Sequence, residues 1–349
     1  MTKLFITGAT GYVGGDALYA IANAYPDLDI IALVRNSDKG AKVAAQFPKI
    51  KLVFGDLSST DLLTSEASKA DIVLHLADSD NVDAAKAIVA GLLQKQTPGY
   101  FIHISGTGIV GTPDFMRKTF GVKDEKTYDD WDSIDEVTSL PDDYLHRNVD
   151  KVVLEASKDN PGKIITAIVC PPTIYGPSRT TGNNRSIQAF WMAEAVLNRG
   201  KGFQVGEGKN LWTQIHVQDL SNVFLALVTA ALQGDASKAT WNDKGYYFVD
   251  NGPEFAWGDV AKAIAKAAAD KKLIKSADID SLDGDEVTKL HPFGPFLWGT
   301  NARAKAIRAG KLLGWAPKQK GLLDFVPEIV DQEAKALGLV KGHAEKAAA

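Results

Sequence analysis

Gly8, Gly11 and Gly14 recur at every third position in the stretch Thr7 to Gly14, T-G-A-T-G-Y-V-G. The apolar run KLFIT precedes them and the helical pattern YVGGDALYAIANAY follows. Glycine at a strand-to-helix turn admits backbone angles closed to other residues and lets a ligand approach the main chain. The first N–H groups of the helix, at Tyr12 and Val13, are then free to meet an anion. Glycines in that context form a pyrophosphate cradle, so a dinucleotide cofactor is expected. The next chemical signal is ALVRNSDKG at the end of the second apolar run. A carboxylate there would grip both ribose hydroxyls of NAD and repel a 2′-phosphate. Arg35 and Lys39 stand there instead and suit a 2′-phosphate, which favours NADP over NAD. Asp38, folding back to the ribose, would favour NAD, and the alternative for Arg35 is a solvated surface residue.

These groups must be held by a scaffold, and the patterning supplies one. KLFIT, DIIALV, KLVFG, DIVLHL, YFIHIS and KIITAIVC are short runs rich in Val, Ile and Phe, each followed by a longer amphipathic or polar segment. That alternation predicts an α/β fold, a doubly wound parallel-sheet Rossmann fold with ligands beyond the carboxyl ends of its strands. From Pro171 the texture changes to a Pro, Gly and Asn-rich loop, and a smaller C-terminal substrate-covering α+β portion is expected. The expected organisation is residues 1–176 plus about 215–250 for the dinucleotide-binding domain, about 177–214 plus 251–341 for the substrate portion, and a frayed tail at 342–349. A chain of 349 residues with 45% apolar and 23% charged residues buries a sizeable core. Its net charge of −4 provides no basic field for nucleic acid. No apolar run reaches the roughly 18 to 20 residues of a membrane span. The first strand starts near Lys3 and leaves no room for a signal peptide, so a cytoplasmic protein is expected. The single cysteine, Cys170, ends an apolar run and reads as a buried structural thiol. No metal centre is expected.

The spacing T-G-x-x-G-x-x-G resembles the short-chain dehydrogenase/reductase superfamily. GDL at Gly55 to Leu57 resembles its adenine-contacting motif with Asp56, and VLHLA, ending in Leu76 and Ala77, resembles the fourth-strand motif that lines the cofactor. PPTIYGP from Pro171, GEGKNLWTQIHVQDL and LLGWAP resemble the extended, epimerase/dehydratase-like branch. The resemblance covers nearly the whole chain and implies contacts from Thr7, Gly8, Gly11, Tyr12, Val13 and Gly14 to the cofactor, with Asp56, Leu57, Leu76, Ala77 and Pro171 completing its site. The C-terminal motifs mark an architecture shared by many reactions.

In that superfamily a tyrosine four residues before a lysine moves the proton. Lys151, in HRNVDKVVLEA, takes the lysine's place by the resemblance and would also hold the nicotinamide ribose, but Arg147 stands four residues earlier. Arginine stays protonated and can only orient or polarise an oxygen. The hydroxyl expected after the fifth strand falls at Gly106, between Ser105 and Thr107. Tyr144, Tyr175 and His146 are the remaining proton donors to consider, His146 being one residue and about 100° around a helix from the expected position. His216 and Asp219 read as structural. Trp212 replaces the arginine that grips the diphosphate in the branch's nucleotide-sugar enzymes. With Trp298, Phe293 and Phe296 it points to an apolar or aromatic substrate, against the alternative of ordinary core aromatics.

The leading expectation is an NADP-dependent oxidoreductase acting on a carbonyl or alcohol carbon of a small, aromatic or apolar substrate. An epimerase, dehydratase or isomerase on the same fold is the first alternative, and a non-catalytic dinucleotide-binding regulator the second. A homodimer is expected from the resemblance alone.

Overall fold

The computed structural model describes residues 2–340. The tail expected at 342–349 lies outside the described residues. Each of the six apolar runs is a strand: β1 (Lys3–Thr7), β2 (Asp29–Val34), β3 (Lys51–Phe54), β4 (Ile72–His75), β5 (Gly99–Ile104) and β6 (Ile164–Cys170). They join one parallel sheet with a seventh strand, β7 (Tyr246–Phe248), in the order β7-β6-β5-β4-β1-β2-β3. β7, three residues long, is too short a run for a sequence pattern to show.

Period-2 alternation assigns the sheet's two faces. Leu4, Ile6, Leu74, Ile102 and Val169 pack with Leu18 of α1 (Tyr12–Ala24) and with Leu220 and Phe224 of α8 (Val217–Gln233). Phe5, Val73, Phe101 and Ile168 face the opposite way, towards α3 (Thr60–Lys69), α4 (Val82–Leu93) and α6 (Arg147–Asp159). α2 (Ser37–Gln46), α5 (Gly108–Arg117) and α7 (Gln188–Arg199) complete the helices that matter for the site. The chain runs from β1 outward to β3 and then returns to β4 on the other side of β1. That reversal opens a crevice at the carboxyl ends of β1 and β4, as parallel sheets of this kind do.

Beyond Pro171 short pairings replace the sheet. Thr173–Tyr175 pairs in parallel with Gln214–His216, Gly202–Val205 with Ile279–Leu282, and Leu211–Trp212 is antiparallel to Phe255–Ala256. No helix among the described residues is long and apolar enough to cross a membrane.

Candidate active site

The glycine turn is built as its sequence requires. Gly8 has φ +83°, and a Cβ there would stand 2.5 Å from the Leu76 carbonyl oxygen. A Cβ on Gly14 would strike the Gly8 carbonyl, so Gly14 lets α1 sit against the turn. No side chain caps α1 at Gly11, which leaves its first N–H groups for a ligand. A cavity of about 690 Å³ opens above this turn, bounded by Gly8, Gly11, Asp56, Leu57, Leu76 and Ala77, with Arg35 and Lys39 on its rim. Asp56 is fixed by the Ser58 amide and hydroxyl, at 2.9 and 2.6 Å, which hold its carboxyl below the usual range. These residues fit a dinucleotide. Thr7 behaves differently: its hydroxyl is buried and hydrogen-bonded to His75 Nδ1 at 2.8 Å, away from the cavity.

A second cavity, of about 480 Å³, adjoins the first through Asn183, which lines both. Tyr12, Val13 and Pro171 line it on the cradle side. Ser105, Gly106, Thr107 and His146 form its polar floor, and Leu145, Trp191, Trp212, Phe293, Phe296 and Leu297 its apolar walls. Trp212 donates its indole N–H to the Thr300 carbonyl at 2.7 Å, so it offers the cavity only its ring. Trp191 is held by stacking on His291 at 4.4 Å. Trp298 is a buried core residue whose N–H goes to the Gln188 carbonyl at 3.0 Å.

Beneath the floor lies a buried polar cluster. Ser105 and Tyr246 donate hydroxyl hydrogen bonds to Oδ2 of Asp150, at 3.0 and 2.9 Å. The other oxygen, Oδ1, has no hydrogen-bond partner and lies 4.0 Å from His103 Nε2. Burial pushes the Asp150 carboxyl up to about 6, against the pull of the Ser105 and Tyr246 hydrogen bonds. His103 stacks on His75 at 5.3 Å, because the two occupy matching positions of β5 and β4. Burial lowers both, His75 to about 4 and His103 well below its ordinary value, so both rings are neutral at physiological pH. The Thr107 hydroxyl is buried at the cavity wall with no partner.

His146 enters from the start of α6. Its backbone is left-handed, with φ 65°, a costly conformation for a side-chain-bearing residue. Its Nδ1 lies 3.0 Å from both carboxylate oxygens of Asp80 and 3.1 Å from the Ser79 hydroxyl. A Cβ on Gly106 would stand 3.0 Å from the ring's Nε2. Glycine at 106 therefore makes room for the imidazole at the position where the resemblance implied a hydroxyl.

The structure does not bring Arg147 and Lys151 to this floor. Lys151 Nζ is 2.5 Å from Asp142 Oδ2, and Arg147 Nε is 4.0 Å from the same carboxylate. Both border a separate cavity of about 570 Å³ with Thr138, Glu155 and Lys158. The reason is helical phase: Val149, Val153 and Ala156 form the buried stripe of α6, and at about 100° per residue Lys151 falls on the outer side. The pair at spacing four on this side of α6 is His146, which lines the cavity, and Asp150, buried beneath its floor, each one residue earlier in the chain. Tyr144 faces a different cavity, beside Asp114 and Arg303. Tyr175 donates its hydroxyl to the Lys320 carbonyl and accepts from Asn251, both at 2.6 Å, inside the core. His216 caps α8 by accepting from the Gln218 amide, and Asp219 accepts from the amides of Lys318 and Gln319. Cys170 is buried, and burial pushes its thiol up.

Asp80, Asp150, His75, His103 and Trp191 escaped the sequence reading. Signals for some were present: H-x-x-x-D at His146 to Asp150, and a histidine in each of the neighbouring strands VLHLA and YFIHIS.

Similarities to known proteins follow the same lines. The profile of the NAD dependent epimerase/dehydratase family matches residues 4–242. Oxidase ucsJ of Acremonium sp is 36% identical over 345 residues, 97% of this chain and 99% of that protein. The structure of dTDP-glucose 4,6-dehydratase from Bacillus anthracis in complex with NAD superposes with TM-score 0.64 at 14% identity, over 96% of this chain and 97% of the other. UDP-glucuronic acid 4-epimerase from Bacillus cereus, in complex with UDP-glucuronic acid and NAD, gives TM-score 0.61 at 16% identity, over 96% and 100%. At such identities these two speak for the fold alone. With the glycine cradle at the sheet's switch point and a family match over most of its length, the chain belongs to the NAD dependent epimerase/dehydratase family, an extended branch of the short-chain dehydrogenase/reductases, and is an enzyme of that family.

Proposed function

We propose that the protein is an NADP-dependent oxidoreductase that interconverts a carbonyl and an alcohol on a small, aromatic or apolar molecule. The observation that carries this reading is the aromatic-walled cavity adjoining the dinucleotide cradle. Aromatic walls with a few convergent polar groups suit a small apolar ligand held in one orientation. When bound, the reduced nicotinamide supplies a hydride. The chain's own residues hold the substrate, exclude water and serve its oxygen: Trp191, Trp212 and Phe296 enclose the apolar body, and the unpartnered Thr107 hydroxyl can donate to the oxygen. Arg35 and Lys39 on the rim of the cradle support the 2′-phosphate of NADP. The name of the Acremonium relative, an oxidase, supports redox chemistry. The substrate portion would be about 177–214 plus 251–341, which supplies Trp191, Trp212 and Phe296, closing on 1–176 plus about 215–250. A cytoplasmic location and a homodimer complete the proposal.

The sugar-nucleotide chemistry of the structural neighbours is the second reading. It is disfavoured by Arg185, the only lysine or arginine among the described residues lining the substrate cavity. Its guanidinium is engaged by Glu333 at 2.8 and 2.9 Å and by Glu194 at 2.6 Å, so it is not free to grip a diphosphate. The test follows NADPH absorbance with purified protein against a panel of aromatic and aliphatic aldehydes and ketones, beside UDP- and dTDP-sugars analysed for conversion. Consumption of NADPH with an apolar carbonyl is the expected result. Conversion of a sugar nucleotide with no net change in cofactor would reverse the assignment.

A further inference from the structure

We propose that His146, oriented by Asp80, is the group that gives the proton to the substrate oxygen or takes it back, in the place that a tyrosine holds in the superfamily. The proposal rests on the oxidoreductase reading above and assigns its proton chemistry.

Geometry carries the assignment. Imidazole can present one nitrogen to a carboxylate and the other to a reacting atom, and the partner of the first determines the tautomer. Here Nδ1 faces both oxygens of Asp80 at 3.0 Å, and the opposite edge of the ring, with Nε2, faces Gly106 on the floor of the substrate cavity. The arrangement is made at a cost on two sides: a left-handed backbone at His146 and the loss of any side chain at 106. Strain maintained beside a cavity is a mark of a functional constraint.

The competing donors are occupied or elsewhere. Tyr12 gives its hydroxyl to the Gly176 carbonyl at 2.5 Å, and Ser105 gives its own to Asp150. Tyr175 is bound to Lys320 and Asn251, Tyr144 borders another cavity, and the buried Arg147 and the outward Lys151 border a third. Thr107 can polarise an oxygen but does not change charge near neutrality. The titratable and charged groups around the imidazole are Asp80 from the loop after β4, His103 from β5, and Asp150 and Arg147 from α6. Of the two carboxylates, Asp80 is the one that meets the ring directly, at 3.0 Å. Burial raises the Asp80 carboxyl, but hydrogen bonds from His146 and Ser79 outweigh it and hold the group below its ordinary value.

In the reducing direction a bound reduced nicotinamide would supply hydride to the carbonyl carbon, and the C=O π pair would move onto oxygen. The Nε2–H bond of the imidazolium breaks and its proton goes to that oxygen. The products are the alcohol, the oxidised cofactor and a neutral imidazole whose remaining proton sits on Nδ1 against Asp80. Solvent returns the lost proton. Alcohol oxidation is the reverse, with neutral Nε2 as the base.

The test uses the full chain with His146→Asn, chosen because asparagine tolerates the left-handed backbone, and Asp80→Asn. Histidine ¹⁵N NMR on the cofactor-free protein reads the tautomer directly. Wild type should carry the neutral-ring proton on Nδ1, and Asp80→Asn should populate the Nε2–H form. With a carbonyl found by the NADPH screen, His146→Asn should lose about 10²- to 10³-fold in turnover and lose one limb of the pH–rate profile. NADPH affinity, read by fluorescence titration, should stay within about threefold, which also reports that the variant is folded. Asp80→Asn should keep that limb but move it to lower pH. An active wild type whose His146→Asn variant keeps its turnover and pH limb overturns this proposal alone, as does a wild-type ring protonated on Nε2. A wild type inactive on every carbonyl overturns the oxidoreductase reading and the proposal with it.

Discussion

Replacing Asp150 by asparagine should make the protein more stable at alkaline pH and leave it unchanged in acid. The carboxyl is fully buried, and burial moves it from its ordinary 3.8 to about 6. Between those values the unfolded chain releases the proton while the folded protein keeps it. The folded state therefore binds more protons, and stability falls as pH rises through the window. Each pH unit is worth about 1.4 kcal/mol, so over roughly two units the ionisable group costs about 3 kcal/mol above pH 6. Asparagine never ionises. Its Oδ1 can still accept from Ser105 and Tyr246, and its amide can approach the unpartnered Nε2 of the neutral His103, 4.0 Å from the present Oδ1. His75 and His103, held neutral by burial, have folded values below their unfolded ones and so destabilise the protein as pH falls below about 6.5. That effect is shared by wild type and variant and cancels in their difference. Urea unfolding midpoints at pH values from about 4 to about 8 supply the assay. The expected difference is near zero at the acid end and grows to about 3 kcal/mol in favour of the variant. A difference independent of pH, or a wild type more stable at pH 8, would refute the reasoning.

Other outcomes follow from the same geometry. Gly8→Ala forces a Cβ against the Leu76 carbonyl at a left-handed position, which costs at least about 1 to 2 kcal/mol. Thermal melts should show that loss, and isothermal titration should show no dinucleotide binding. Arg35→Asp should reverse the preference of thermal protection from NADPH to NADH, and equal protection by the two cofactors before and after the change would remove the second-strand argument. Lys151→Ala should leave NADPH affinity within about threefold, since its ammonium pairs with Asp142 on the outer side of α6 and an exposed pair of this kind contributes little. A tenfold loss of affinity would return the lysine to the cofactor.

Local signals carried far in this chain. KLFIT and the glycines after it specify a strand, a turn and a helix within about twenty residues, and each step depends only on neighbouring backbone angles and patterning. The six long strands and the cradle were legible for that reason. The helix at KVVLEA was legible too, but not which of its faces turns inward, although its buried stripe of Val149, Val153 and Ala156 is visible in the sequence. Alignment by resemblance placed Lys151 inward, whereas the stripe places it outward.

Sequence by itself determined the parallel α/β architecture, the dinucleotide cradle and the cations at the end of β2, because each is written in a contiguous segment. Tertiary structure alone decided which proton-bearing groups meet. Asp80 and His146, 66 residues apart, come from the loop after β4 and the start of α6, and the ring reaches Gly106 just beyond β5. Their meeting depends on the sheet placing β4 beside β5 and on the left-handed backbone at His146, where the chain enters α6. A rotation of one residue, about 100°, exchanges a lysine for a buried aspartate beneath the floor of the cavity. The stripe of Val149, Val153 and Ala156 marks that phase within the segment, but the partners it brings to Asp150, Ser105 and Tyr246, come from distant segments that only the packing of α6 against the sheet assembles.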